Sequence, residues 1–163
     1  VLQIPQNKHL EPYFKIAQEE AKKSPCTRRK YGALIKDISS EIVDWTATYN
    51  VRVTTCCNNR CIRDTMDFTN GENVEYGAEV HAETAALIAH DLTKDTDRVM
   101  VLVGYKGERE LLGSDVWPCR VCALNIKYAG FRYIYVKNYS NVIIPASIDE
   151  IIAYREEEWE PDK

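Results

Sequence analysis

A chain of 163 residues with 21 Lys and Arg against 25 Asp and Glu carries a formal net charge of −4. That excludes a protein that grips a long polyanion by overall charge and leaves room only for a local basic patch. With 45% hydrophobic and 28% charged residues, and only 7 Gly and 6 Pro, the composition suits one globular domain over residues 1–163, large enough to bury a core without disulfides. No apolar run approaches the roughly eighteen residues a membrane-spanning helix needs. Val1 to His9 shows no cationic flank leading into an apolar stretch, so a soluble protein of the reducing cytoplasm is expected. In that setting the six cysteines, at positions 26, 56, 57, 61, 119 and 122, are expected to hold metal or catalyse more often than to bridge.

Leu10, Tyr13, Phe14, Ile16, Ala17 and Ala21 recur at a helical period, which predicts an amphipathic helix over about Leu10 to Lys23, with Pro12 in its first turn. Ser24-Pro25 stops it. Tyr31 to Lys36 and the alternating stretch Ile42 to Tyr49, separated by a turn over Asp37 to Ser40, predict a β-hairpin. From Asn50 to Glu79 the composition turns to Asn, Thr, Arg and Gly, the pattern of a long functional or metal-clipped loop. Val80 to Leu92 reads as an Ala-rich helix, and Val99 to Tyr105 as a strand buried on both faces. Pro118 to Tyr128 reads as a helix with Pro near its start and Gly130 past its end, followed by a strand over Phe131 to Val136. Ser147 and Glu150 form a capping box that opens a last helix running to Trp159. The order α-β-β-α-β-α-β-α predicts an α/β fold, a mixed sheet with helices on its faces.

Two short pieces carry chemistry. His81-Ala82-Glu83 stands at the head of one predicted helix and Pro118-Cys119-Arg120-Val121-Cys122 at the head of another. Together they resemble the H-x-E…P-C-x-x-C pattern of zinc-dependent nucleobase deaminases. Cys119 and Cys122, three apart at a helix N-terminus, share a face where the helix dipole favours the thiolate. His81 as third ligand completes a Cys₂His set for Zn²⁺ with one open position, the arrangement of a catalytic site. Glu83, also in a first turn, is placed to act as general acid and base. Alone, each piece has a plainer reading, since C-x-x-C also makes structural knuckles and redox pairs and H-x-E commonly decorates a surface. Their occurrence in order, separated by a buried strand, favours the catalytic reading. His9 and His90 lack such context and read as solvated or packing residues.

With these residues in place, the chain resembles the cytidine/deoxycytidylate deaminase superfamily, and most the deoxycytidylate (dCMP) deaminase branch. Cys26-Thr-Arg-Arg-Lys-Tyr-Gly-Ala-Leu-Ile, Tyr49-Asn50, Val80-His-Ala-Glu and Pro118-Cys-x-x-Cys-Ala-x-x-Ile-x-x-Ala-Gly carry the resemblance over roughly residues 10 to 137. It implies a three-layer α/β/α fold around a central mixed sheet, hydrolysis of dCMP to dUMP and ammonia, and a homo-oligomer. It further implies that Asn50 contacts the sugar or base. Arg52 is a candidate for the 5′-phosphate, against the plain reading of a solvated loop charge. Some members of the branch carry a second, structural zinc; here Cys26, Cys56 or Cys57, and Cys61 are available for it, with Glu79 as an oxygen ligand. The alternative is that these cysteines are small buried hydrophobes.

Three features depart from the branch. Val51 replaces the Gly after Tyr-Asn, Lys106 to Trp117 intervenes before Pro118, and the long loop with its cysteines is shortened. Trp117 either stacks on a base or packs. The competing functions are a deaminase of another nucleoside, a free base or an RNA base, and a non-catalytic zinc scaffold. The acidic balance disfavours a polynucleotide, and an intact Glu83 disfavours the scaffold. The tail from Arg155 to Lys163 reads as a solvated helix end.

Overall fold

The computed structural model describes residues 7–26, 28–38, 45–52, 79–93 and 97–157. In chain order the elements are α1 (Asn7–Lys22), β1 (Lys30–Asp37), β2 (Trp45–Tyr49), β3 (Val51–Arg52), β4 (Glu79–Val80) and α2 (Ala82–Ala89). There follow β5 (Arg98–Lys106), β6 (Arg109–Glu110), a 3₁₀ turn (Gly113–Asp115), α3 (Arg120–Tyr128), β7 (Tyr133–Lys137), β8 (Ile143–Ser147) and α4 (Ile148–Glu157).

The central sheet runs β2-β1-β5-β7-β8, with β6 folded back on β5. β1 is antiparallel to β2 and β5, β5 is parallel to β7, and β7 is antiparallel to β8, so the sheet is mixed. β5 lies at its centre because its apolar residues serve two cores. Val99, Val101 and Val103 pack with Leu10, Phe14, Ala17 and Ala21 of α1. Met100 and Leu102 pack with Ala82 and Ala86 of α2, Ala123 and Ile126 of α3 and Ile148 and Ile151 of α4. Alternation along one strand therefore sends α1 to one face and the other three helices to the opposite face. The result is the expected α/β/α sandwich.

The close seat of α1 is set by Gly32 on β1. A Cβ there would lie 2.1 Å from the Ala17 carbonyl oxygen, a backbone atom with nowhere to go. Gly32→Ala is expected to destabilise the fold by about 1–3 kcal/mol, the range for overpacking a tight core, and urea unfolding would measure it; an unchanged midpoint would contradict this packing. α1 also starts earlier than its periodicity suggests, which moves Pro12 out of the first turn and into the helix. Pro12 is exposed, so the lost backbone bond falls on the solvent side, where its cost is smallest.

α3 ends in a Schellman motif. The Gly130 N–H donates to the Lys127 carbonyl at 3.0 Å and the Phe131 N–H to the Ile126 carbonyl at 3.2 Å, with Gly130 at φ 100°. Phe131 and Ile126 are both in the core. β8 was not legible because Pro145 interrupts its apolar run. β8 is an edge strand and Pro145 is exposed, which is where a sheet tolerates proline. The Ser147 cap is present: its Oγ accepts from the Glu150 N–H at 3.4 Å, ahead of α4.

Val80 belongs to β4 and α2 starts only at Ala82, because Val80 pairs with Val51. The two ends of the expected long loop are thus joined as a short ladder, and residues 53–78 lie outside the described residues. The stretch after β5 folds onto the core, with Leu111 and Val116 buried. His90, at the C-terminal end of α2, is buried as a packing residue. One ring nitrogen shares a hydrogen bond with Thr46 Oγ1 at 2.8 Å and the other with Asp37 Oδ1 at 3.0 Å. Arg98 pairs with the same carboxylate at 3.1 Å, and together these tie α2 to β1 and β5.

Candidate metal centre

The ladder of β3 and β4 delivers the chain to His81, which is the N-cap of α2 in extended conformation. Cys119 is the N-cap of α3, also extended, and Cys122 lies one turn into that helix. Neither cap side chain is spent on capping its own helix. The two helices share one face of the sheet, and Ala82, Ala86 and Ala123 between them and the strands leave room for their N-termini to converge.

His81 Nδ1 lies 3.3 Å from Cys122 Sγ and 3.6 Å from Cys119 Sγ, and all three donor atoms are within 4.8 Å of one another. A tetrahedral metal with bonds of about 2.1 Å to nitrogen and 2.3 Å to sulfur separates N and S donors by about 3.6 Å. The donor set therefore fits a metal ion, and its soft thiolate and imidazole character suits zinc-like cations. The two thiols behave as a proton-sharing pair. A hydrogen bond from Cys122, helped by His81 against the cost of burial, lowers Cys119 to about 4. Cys122, as donor and buried, is pushed up, and Thr84 Oγ1 at 3.5 Å partly offsets this. Such a pair releases its first proton readily and its second when a cation takes the proton's place.

Glu83 sits beside this cluster in the first turn of α2, with only 4% of its surface exposed. A carboxylate so deeply buried is rare without a partner. Burial pushes its carboxyl up and the neighbouring His81 draws it back.

One contributor had no readable signal. Arg155 of α4, expected to belong to a solvated helix end, reaches across α3. Its Nε donates to the Pro118 carbonyl at 3.1 Å and a terminal nitrogen donates to the Trp117 carbonyl at 2.9 Å. It thereby fixes the two residues ahead of Cys119. Trp117 packs edge-on against Tyr154 at 5.3 Å between ring centroids. Groups that hold ligands in place typically contribute 10- to 100-fold to metal affinity. Arg155→Ala should therefore weaken metal binding by about that factor, with Arg155→Lys intermediate, in competition against a chromophoric chelator. Equal affinity in all three proteins would remove Arg155 from the account.

Of the other expected site residues, Asn50 is buried, and its side chain is engaged with the start of β1. Its Oδ1 accepts from the Tyr31 N–H at 2.9 Å and its Nδ2 donates to the Arg29 carbonyl at 2.9 Å. The backbone of Arg52 pairs with Glu79, while the side chains of both lie outside the described residues. Cys26 is buried next to Ser24, whose Oγ accepts from its N–H at 3.2 Å. Cys56, Cys57 and Cys61 lie outside the described residues.

Fold and site together define an α/β/α protein with a His-Cys-Cys centre able to hold a metal ion. No protein-family model, curated protein or solved structure matches the chain.

Proposed function

We propose that the chain is a zinc-dependent hydrolytic deaminase of a small cytosine nucleotide, converting dCMP and water to dUMP and ammonia. The observation that carries this reading is the convergence of His81, Cys119 and Cys122 with the buried carboxylate of Glu83 at the heads of two helices. Among the described residues three side chains offer ligands; with the fourth position open, a zinc ion held there would supply a Lewis acid and a water of lowered pKa. Glu83 takes a proton from the attacking water, passes it to the ring nitrogen and then helps protonate the departing amine. The C4–O bond forms, the C4–N bond breaks and ammonia leaves. Helices α2 and α3 keep the donors and Glu83 in fixed relation, and the buried wall of Ala82, Ala86 and Ala123 excludes bulk water behind them.

The net charge of −4 favours a small nucleotide over a polymer. No helix among the described residues is long and apolar enough to cross a membrane. The homo-oligomer implied by the resemblance belongs to the same proposal and is checked by sedimentation.

The test is ammonia release from dCMP, CMP, cytidine, guanine and a tRNA. Fastest release from dCMP is expected. Preference for unphosphorylated compounds would overturn the nucleotide assignment, and no release from any member would leave the non-catalytic scaffold.

A further inference from the structure

The first turn of α2 is held between two threonines. On the sheet side, the Thr48 hydroxyl of β2 donates to the Ala82 carbonyl at 2.8 Å. On the other side Thr84, the third residue of α2 and half-buried, places its Oγ1 3.5 Å from the sulfur of Cys122 on α3. A helical threonine often turns its hydroxyl back to a carbonyl one turn earlier. This one reaches across to a ligand of the metal centre.

Which atom donates follows from the chemistry of the ligand. Cys122 binds a metal as thiolate and then has no proton to give, so in the loaded centre the Thr84 O–H is the donor. Burial makes that donor matter. Cys122 is 3% exposed, whereas Cys119 is half-buried and has more access to water. An anionic acceptor sealed from water depends on a fixed donor more than a solvated one does. Thr84 also follows Glu83 directly in the same first turn. Its bond therefore ties the turn that carries the carboxylate to the turn that carries the buried ligand.

We infer that Thr84 is a positioning residue of the metal centre: its hydroxyl donates to the Cys122 thiolate, fixes the direction of that sulfur, withdraws part of its charge and holds the first turn of α2 against that of α3. The role rests on the metal centre and not on the identity of any substrate.

The experiment compares wild type with Thr84→Val, which removes the hydroxyl and keeps the shape, and Thr84→Ser, which keeps the hydroxyl and removes the methyl group. Thr84→Ala replaces Thr84→Val should the latter lose its cooperative thermal transition. Zinc affinity is read by competition with a chromophoric chelator. The state of the sulfur is read from the thiolate-to-metal charge-transfer absorption of the Co²⁺-loaded proteins, taken as the difference from Cys122→Ser so that thiols outside the centre cancel. Thr84→Val is expected to bind zinc about tenfold or more weakly, the usual effect of losing a partner that orients a ligand. Its charge-transfer band should move to longer wavelength, because a thiolate relieved of its donor gives up an electron more easily. Thr84→Ser should match wild type in both. Unchanged affinity with an unmoved band in Thr84→Val would overturn the role. So would a Thr84→Ser that behaves like Thr84→Val, since the effect would then belong to the packing of the methyl group. A wild type without Cys122-dependent Co²⁺ absorption would overturn the metal centre and this role with it. Under the deaminase reading Thr84→Val should lower kcat for dCMP by a larger factor than it raises KM. Wild type that releases no ammonia, with affinities and bands as expected, would end that reading alone and support the role of Thr84.

Discussion

Glu83→Gln is expected to keep its metal and lose turnover by about 10²–10⁴-fold, the contribution usual for a positioned general acid and base. Glutamine preserves the shape and one acceptor oxygen of a side chain that is 4% exposed, yet it cannot take up and return a proton. Relieving a buried carboxyl of its charge is not expected to unfold the protein, because burying that charge is itself unfavourable. Metal content by mass spectrometry and ammonia release, measured on the same preparation, separate the outcomes. Loss of metal together with activity would make Glu83 a structural support of the ligands, and undiminished turnover would remove it from the chemistry.

Cys122→Ser is expected to empty the centre. Cys122 is the buried member of the pair, its sulfur 3.3 Å from His81 Nδ1, and a serine hydroxyl is a poor substitute for thiolate toward a zinc-like cation. Activity should fall below detection. A stability readout accompanies this loss: a metal present at about 1,000 times its Kd contributes about 4 kcal/mol to the native state. A chelator should therefore lower the melting temperature of the wild type much more than that of Cys122→Ser. A variant that retains full metal and an undiminished response to chelator would place the ion elsewhere.

Much of this centre was legible because its parts are local. Cys119 and Cys122 are three apart on one helix, His81 and Glu83 share one first turn, and such spacings survive whatever the rest of the chain does. The central strand was legible for a related reason. The apolar run from Val99 to Val103 has no polar face, and the structure gives it two cores.

What escaped depends on contacts between distant segments. Helix α2 begins at Ala82 because Val80 pairs with Val51, a partner 29 positions away in sequence. β8 is a strand despite Pro145 because it lies at an edge, and edge or centre is decided by the whole sheet. Arg155 stands among glutamates in a stretch that reads as solvent-facing, and only the packing of α4 against α3 carries it to the carbonyls ahead of Cys119. The amide of Asn50 braces the Arg29–Tyr31 backbone across 21 and 19 positions of sequence, a contact that no local pattern displays.

The centre itself is tested most directly by anomalous diffraction at the zinc edge from crystals of the wild-type protein grown after zinc loading. The account predicts a peak bonded to His81 Nδ1, Cys119 Sγ and Cys122 Sγ, with the fourth position free of protein ligands and facing Glu83. No peak at these three atoms, or a peak closed by a fourth protein side chain, would contradict it.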